Sequence, residues 1–338
     1  FISGEEGNTL LTIAEQAAFE FAEVDNIGTV RNDSSYLQKH IDSVLNLALV
    51  NVEAIKAAEF SVVIDAVNST GGIFIPALLE ALGVQKITKL YCEPNGQFPH
   101  NPEPLPEHLT DLSSKIIETK ADVGFTVDPD VDRLAMVCED GSMFGEEYTL
   151  VAVADYVLNH TPGSTVSNLS STRALKDVTE GKGEVYHASA VGEVNVVSLM
   201  KQTKAVIGGE GNGGIIYPES HYGRDALVGI ALFLSHLALK KCKTSQLRDS
   251  FPKYCISKNK IQLTPDINVD DVLTQMADKY SGEEVDTTDG VKIYIEKEWV
   301  HLRKSNTEPI IRIYSESESM AAANALANRI KGDINTFI

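Results

Sequence analysis

Two periods of apolar residues run along this chain, and the points where one gives way to the other mark its parts. Residues 3–23 carry apolar positions at helical spacing behind an acidic first turn, and residues 34–58 repeat that spacing. Each stretch is expected as a helix. At 60–66 the run FSVVIDA is continuous, β-branched and of strand length. Asn68, Gly71 and Gly72 follow it, and then a helical pattern through IPALLEALG, which Gly83 should close as a C-terminal cap. VQKITKLYC (84–92) reads as a strand, PLPEHLTDLSSKIIETK (104–120) as a helix and ADVGFTV (121–127) as a buried strand. Alternation of this kind indicates parallel βαβ units with helices on both faces.

The pattern repeats from residue 146: helix EEYTLVAVADYVLNH, strand STVSNLS, helix TRALKDVTEG, strand EVYHAS, helix GEVNVVSLMKQ and strand KAVIGG. Residues 226–240 (ALVGIALFLSHLALK) form a strongly apolar helix, too short to span a bilayer. After Pro252 the order shifts to strand SKNKIQL, helix VDDVLTQMADKY, strands VKIYIEK, WVHLRKS and PIIRIYSE, and a final helix over 319–331. The expected fold is α/β: two successive mixed α/β three-layer domains, 32–145 and 146–252, followed by a small α+β domain, 253–338.

Length agrees with several domains, since 338 residues exceed what one core usually serves. Charge narrows the partners. With 48 acidic against 29 basic residues, the formal charge of -19 opposes nucleic acid and anionic membrane surfaces, so neither is expected as a partner. No apolar run reaches the length of a membrane span and the amino terminus lacks the order of a signal peptide, so a cytoplasmic protein is expected. Cys92, Cys138, Cys242 and Cys255 lack metal-site spacing and are expected as reduced thiols. The start at Phe1, leading straight into polar residues, suggests a trimmed amino terminus.

Three motifs could carry chemistry. The first is Asp128-Pro129-Asp130-Val131-Asp132-Arg133, just past the strand ADVGFTV, where open α/β sheets bind ligands. Its carboxylates are hard ligands suited to Mg²⁺, and like charges so crowded raise one another's proton affinity unless a cation offsets them. An EF-hand is ruled out because its sixth position needs glycine and here holds Arg133. A phosphatase reading of Asp128 as nucleophile is disfavoured by the third aspartate at the fifth position. An acidic surface turn is the plain alternative.

The second motif is Gly208-Gly209-Glu210-Gly211-Asn212-Gly213-Gly214, after the strand KAVI. Its glycines allow close backbone approach, while Glu210 and Asn212 offer acceptor and donor groups for sugar hydroxyls. Its spacing fits neither GxGxxG nor a P-loop, and alone it is compatible with a structural turn. The third is Arg303-Lys304-Ser305-Asn306-Thr307-Glu308-Pro309, with Arg312 beyond it. Hydroxyls, an amide and an arginine fork suit a phosphate dianion, although a polar hairpin turn would look similar.

In this order the three motifs resemble those of the α-D-phosphohexomutases, which move phosphate between the 1- and 6-hydroxyls of a hexose. In that family an Asp-rich Mg²⁺ loop, a GExxGx sugar loop and an RxSxTEP phosphate loop come from successive domains, and the resemblance runs from about residue 1 to residue 338. It implies that Asp128, Asp130 and Asp132 bind Mg²⁺ and that Arg133 is catalytic, on the phosphoserine side. It places Glu210 and Asn212 on the sugar hydroxyls, and Arg303, Ser305, Asn306, Thr307 and Arg312 on phosphate. The implied partners are a hexose phosphate, foremost glucosamine phosphate with glucose and mannose phosphates as alternatives, and a hexose 1,6-bisphosphate intermediate.

Departures from the family pattern are specific. Its usual DGDGDR has Pro129 and Val131 in place of both glycines, and its GEMSGH or GEQSGH loop has Asn212 and Gly214 in place of serine and histidine. The family's phosphoserine lies in a TASHNP-like loop of a first domain, whereas here the one HNP, His100-Asn101-Pro102, has no adjoining serine and is read as a decoy. Residues 1–31 then resemble the last helix and linker of that first domain. The chain as given is expected to lack turnover, or to be a module that only binds hexose phosphate. His187 and Glu193 are left open as acid or base.

Overall fold

The computed structural model describes residues 2–264, 267–305 and 310–337. Contacts divide the chain into two units, 1–40 and 41–338. In the first, helix α1 (Gly4–Glu15) opens with a capping box: Ser3 Oγ accepts the Glu6 N–H at 3.2 Å and the Glu6 carboxylate accepts the Ser3 N–H at 2.6 Å. The expected helix over 3–23 is therefore shorter, and Ala17 takes a left-handed φ of 49° just beyond it. No residue of α1 is buried, and beyond its end Phe19, Phe21 and Val24 propagate a helix poorly.

The expected helix over 34–58 is two helices, α2 (Tyr36–Leu45) and α3 (Val52–Ala58). Asn51 separates them because its side chain accepts the Ala54 N–H at 2.9 Å and so starts a new helix. Next come β1 (Ser61–Asp65), α4 (Gly71–Ala81), β2 (Lys86–Leu90), α5 (Thr110–Thr119), β3 (Val123–Val127) and β4 (Leu134–Cys138). Gly83 closes α4 with φ 87°, as its sequence position suggested. The helix expected over 104–120 begins only at Thr110, after a 3₁₀ turn at Pro106–His108, because Pro104 and Pro106 have no N–H to contribute. The sheet order is β2-β1-β3-β4, parallel except for β4.

A second sheet repeats this plan. It is built from α6 (Glu146–His160), β5 (Thr165–Asn168), α7 (Ala174–Gly181), β6 (Tyr186–Ser189), α8 (Glu193–Thr203), β7 (Ile207–Glu210) and β8 (Gly214–Ile216), in the order β6-β5-β7-β8 with β8 antiparallel. Both sheets end in a β-hairpin at their fourth strand, and the first two motifs occupy those two hairpins.

Strand alternation explains the three layers. In the first sheet Val63, Ala135 and Val137 pack with Leu112 and Ile116 of α5. Phe125, on the other face, meets Phe233 of α9 (Ala226–Lys240) edge-on at 6.1 Å. In the second, Val166 and Ile216 pack with Val196 and Met200 of α8. Helix α9 is apolar all round because it is buried on nearly every side, with β4, β8, α3 and α6 as neighbours.

After α10 (Thr244–Asp249) the third sheet uses β9 (Cys255–Gln262), α11 (Val269–Lys279), β10 (Glu284–Asp286), β11 (Val291–Ile295), β12 (Glu298–Lys304), β13 (Ile310–Ser317) and α12 (Met320–Ile334). Its order is β10-β11-β12-β13-β9, antiparallel throughout. One face presents Val291, Ile293, Val300, Leu302, Ile311 and Ile313 to α11 and α12. The other, by the same alternation, carries Lys292, Trp299, His301, Arg303, Arg312 and Glu316, and it docks on the second sheet's loops. There the Lys292 ammonium donates to the Leu169 carbonyl at 2.7 Å and the Arg173 N–H donates to Glu316 at 2.9 Å. The four cysteines are unpaired, and among the described residues no helix is long and apolar enough to cross a membrane.

Candidate active site

The β3–β4 loop brings Asp128, Asp130 and Asp132 together, with one oxygen from each lying within 4.8 Å of the others. A turn closed by the Val131 N–H on the Asp128 carbonyl folds it, and Asp128 Oδ1 accepts the N–H groups of Asp132 (3.1 Å) and Arg133 (3.0 Å). Val131 takes a φ of 63° that glycine adopts freely, a strain on the order of 1 to 3 kcal/mol for a non-glycine residue. Neighbouring contacts hold it there: the Pro129 carbonyl accepts the hydroxyls of Ser69 and Thr70, and the Val131 carbonyl accepts the Ala226 N–H. Replacement of both family glycines is therefore accommodated without displacing the aspartates from one another.

Burial pushes the Asp128 carboxyl up to about 7, against the opposing Arg133 N–H and with Asp132 and Asp130 adding to it. Arg133 Nε lies 2.9 Å from Asp128 Oδ2 without hydrogen-bond alignment. Asp128 Oδ2 and Asp132 Oδ1 are thus buried with no hydrogen-bond partner among the described residues. Two orphaned carboxylate oxygens in a three-acid cluster fit a hard divalent cation such as Mg²⁺.

The second hairpin abuts the first. The Leu134 N–H donates to the Gly213 carbonyl at 3.1 Å, and Arg133 forms a bridge with Gly214. Gly213 has φ 89°, and a Cβ there would sit 2.3 Å from the Leu134 oxygen, so glycine is what lets the two loops touch. Glu210, at the end of β7 and 5% exposed, accepts Asn168 Nδ2 at 2.9 Å and the Gly192 N–H at 3.3 Å. Asn212 Oδ1 accepts the Gly214 N–H, which commits its oxygen and leaves its NH₂ for a ligand.

Arg224, which no motif flagged, ties the loops together. Its NH1 donates to Glu210 Oε2 at 2.9 Å, its NH2 to Asp132, and its Nε lies 3.2 Å from Glu193. Glu193 also accepts the Arg224 N–H, so it supports this cluster. His187 lies on β6, paired with Val166, away from these contacts.

The third sheet completes the cleft. Glu210, Asn212, Arg303 and Arg312 line one cavity of about 180 Å³ together with Glu147, Ser170 and Lys258. Arg303 stands directly opposite Arg312 across β12 and β13. Like charges facing each other across strands are unfavourable unless an anion joins them. Asp289 offsets part of this charge, its carboxylate 2.9 Å from Arg303 Nε. Ser305 is buried beside them, while Asn306 and Thr307 lie outside the described residues. His100 of the HNP sequence is engaged elsewhere, with Nε2 on Asp65 at 3.0 Å and Nδ1 on the Asn101 carbonyl at 2.8 Å.

Family models match the chain in three consecutive stretches: phosphoglucomutase/phosphomannomutase alpha/beta/alpha domain II over 38–141, alpha/beta/alpha domain III over 145–254, and the C-terminal domain over 259–332. A phosphoglucomutase/phosphomannomutase of Thermococcus kodakarensis is 34% identical over 304 residues, covering 89% of this chain and 66% of that protein. A phosphoglucomutase of Neisseria gonorrhoeae is 30% identical, covering 99% of this chain and 72% of the relative. Among solved structures, a Burkholderia thailandensis phosphoglucomutase/phosphomannomutase family protein superposes with a TM-score of 0.83 at 27% identity, over 99% of this chain and 70% of that one. The chain thus spans about two thirds of the length of these proteins.

Proposed function

Because the chain belongs to the phosphoglucomutase/phosphomannomutase family, we propose that it serves phosphoryl exchange between the 1- and 6-oxygens of a hexose phosphate. The observation that carries this reading is the pair of facing arginines, Arg303 and Arg312, in one cleft with Glu210 and Asn212. A phosphate dianion offsets the arginines, and the remaining polar groups match sugar hydroxyls. Arg224 ties that sugar-binding carboxylate to Asp132 of the metal loop. Asp128, Asp130 and Asp132 would hold Mg²⁺, which supplies charge neutralisation to a transferring phosphoryl group. Arg133, against Asp128, is the cationic side chain next to that centre.

Glucosamine phosphate is the substrate we favour, since the Glu210 carboxylate lines the cleft and suits an amino sugar, whereas burial pushes the Glu147 carboxyl up to about 8 and leaves it mostly protonated. The names of the Thermococcus and Neisseria relatives make glucose phosphate a rival, and that of the Thermococcus protein makes mannose phosphate another. Arg303→Ala is expected to weaken hexose 6-phosphate binding roughly 10- to 100-fold while changing binding of the unphosphorylated hexose little, as for loss of one charge-assisted hydrogen bond. Calorimetric titration of the two ligands checks it, and an equal loss for both would assign Arg303 to the sugar or to folding.

A binding-only reading of residues 1–338 is favoured by one observation, the absence of a serine beside His100-Asn101-Pro102, whose histidine is already engaged. These residues alone, given Mg²⁺, a hexose 1-phosphate and a trace of 1,6-bisphosphate in a coupled assay, are expected to show no sustained 6-phosphate formation. Sustained turnover that disappears on Asp130→Asn would reveal a phosphoryl acceptor within these residues.

A further inference from the structure

The mutase reading leaves Ser170 and His301 unused, although Ser170 lines the cleft and His301 lies on the same face of β12 as Arg303. Ser170 Oγ is 2.9 Å from His301 Nδ1, and His301 Nε2 is 2.7 Å from the backbone carbonyl of Asp289. A carbonyl oxygen only accepts, so Nε2 carries the ring proton. Burial holds the imidazole down to about 4, outweighing that carbonyl, and it is 1% exposed, so near neutral pH it has a single proton. Nδ1 is therefore a bare lone pair, and the only proton available to the contact with Ser170 is the serine's own. The Ser170 N–H is likewise committed, to Asn168 Oδ1 at 2.9 Å.

We propose that His301 locks Ser170 as a hydrogen-bond acceptor in the cleft, so that Ser170 selects a ligand group bearing a proton, a sugar hydroxyl or amine, and turns away a phosphate oxygen. The inference rests on the reading of the cleft as a hexose phosphate site. With its proton pointed at Nδ1, Ser170 Oγ offers the cleft only lone pairs, and a phosphate oxygen placed there would meet another acceptor. Discrimination of this kind comes from the buried polar group that a wrong ligand leaves unpaired. It also fixes the order of groups along the cleft: phosphate at Arg303 and Arg312, and a proton-bearing sugar substituent at Ser170. His301 is a positioning residue here, acting through Ser170.

Two measurements on the 338-residue chain test this. Imidazole ¹⁵N shifts of His301 are expected to report a protonated Nε2 and a bare Nδ1 at pH 7, and a protonated Nδ1 would overturn the proposal whatever binds in the cleft. Calorimetry with hexose 6-phosphate and its series of monodeoxy analogues is expected to find, among the analogues that bind more weakly, one whose penalty of roughly three- to tenfold vanishes in Ser170→Ala, while penalties from hydroxyls held by Glu210 or Asn212 remain. If every analogue's penalty persists in Ser170→Ala, the assignment of Ser170 is overturned, as it is by the lack of any penalty in the unsubstituted chain. If no hexose phosphate binds at all, the mutase reading falls and this selection falls with it, while the His301 shifts still decide the lock on the serine proton.

Discussion

Asp130→Asn is expected to lower Mg²⁺ affinity by about 100-fold or more while leaving the fold intact, since even residues one shell out from a metal change its affinity by about 10- to 100-fold. Asp130 isolates the question better than its neighbours do. Asp128 accepts two backbone N–H groups and Asp132 pairs with Arg224, so replacing either would disturb the loop as well as the metal. Asp130 is exposed, and no hydrogen bond or ion pair among the described residues uses its carboxylate. Asparagine keeps the shape and removes the anionic oxygen that a hard cation needs. Calorimetric titration with Mg²⁺, beside a thermal melt without it, separates the two effects. Equal affinity in both proteins would remove the metal assignment.

Arg224→Leu is expected to cost about 3 kcal/mol of stability, the low end of what breaking a buried ion pair costs, because the guanidinium is still 15% exposed. The loss leaves Glu193 and Glu210 without their ion-pair partner and Asp132 with only the more distant Arg133, its Nε 3.7 Å away. Part of it should be recoverable. Mg²⁺ is expected to raise the melting temperature of Arg224→Leu more than that of the unsubstituted protein, because the metal then replaces the missing charge at Asp132. Chemical denaturation with and without Mg²⁺ measures both. A loss below roughly 1 kcal/mol would show that the three carboxylates relax apart or take up protons, and that Arg224 is not what joins the loops.

The sheets and most helices were legible because their apolar runs follow the periods of strand and helix, as in FSVVIDA, ADVGFTV and ALVGIALFLSHLALK. The motif residues could be picked out as candidates because each group is contiguous in the chain. Arg224 was not, since its three acidic partners lie at 132, 193 and 210 and nothing around HYGRD carries a period. His301 is a different case. In WVHLRK the alternation separates Trp299, His301 and Arg303 from Val300 and Leu302, and from that alone the polar set looks like a solvent face. It is covered by the second sheet's loops, and docking between sheets leaves no local trace in the sequence. Helix α1 ran short for a local reason, since Ala17 takes a left-handed φ of 49° and the residues beyond it, Phe19, Phe21 and Val24, propagate a helix poorly.

The contact of Leu134 with Gly213 bears on the order of events during refolding. It joins two hairpins that each need their own sheet first, across a long stretch of intervening chain, and loop closures of that kind come late. Secondary structure and much of the apolar burial can therefore be recovered while the aspartates and Glu210 are still unacquainted. On the proposed function, ligand binding then becomes a clock for the last step: capacity to bind a hexose phosphate should return after far-ultraviolet circular dichroism has levelled off, with the lag between the two signals reporting the time the hairpins take to find each other.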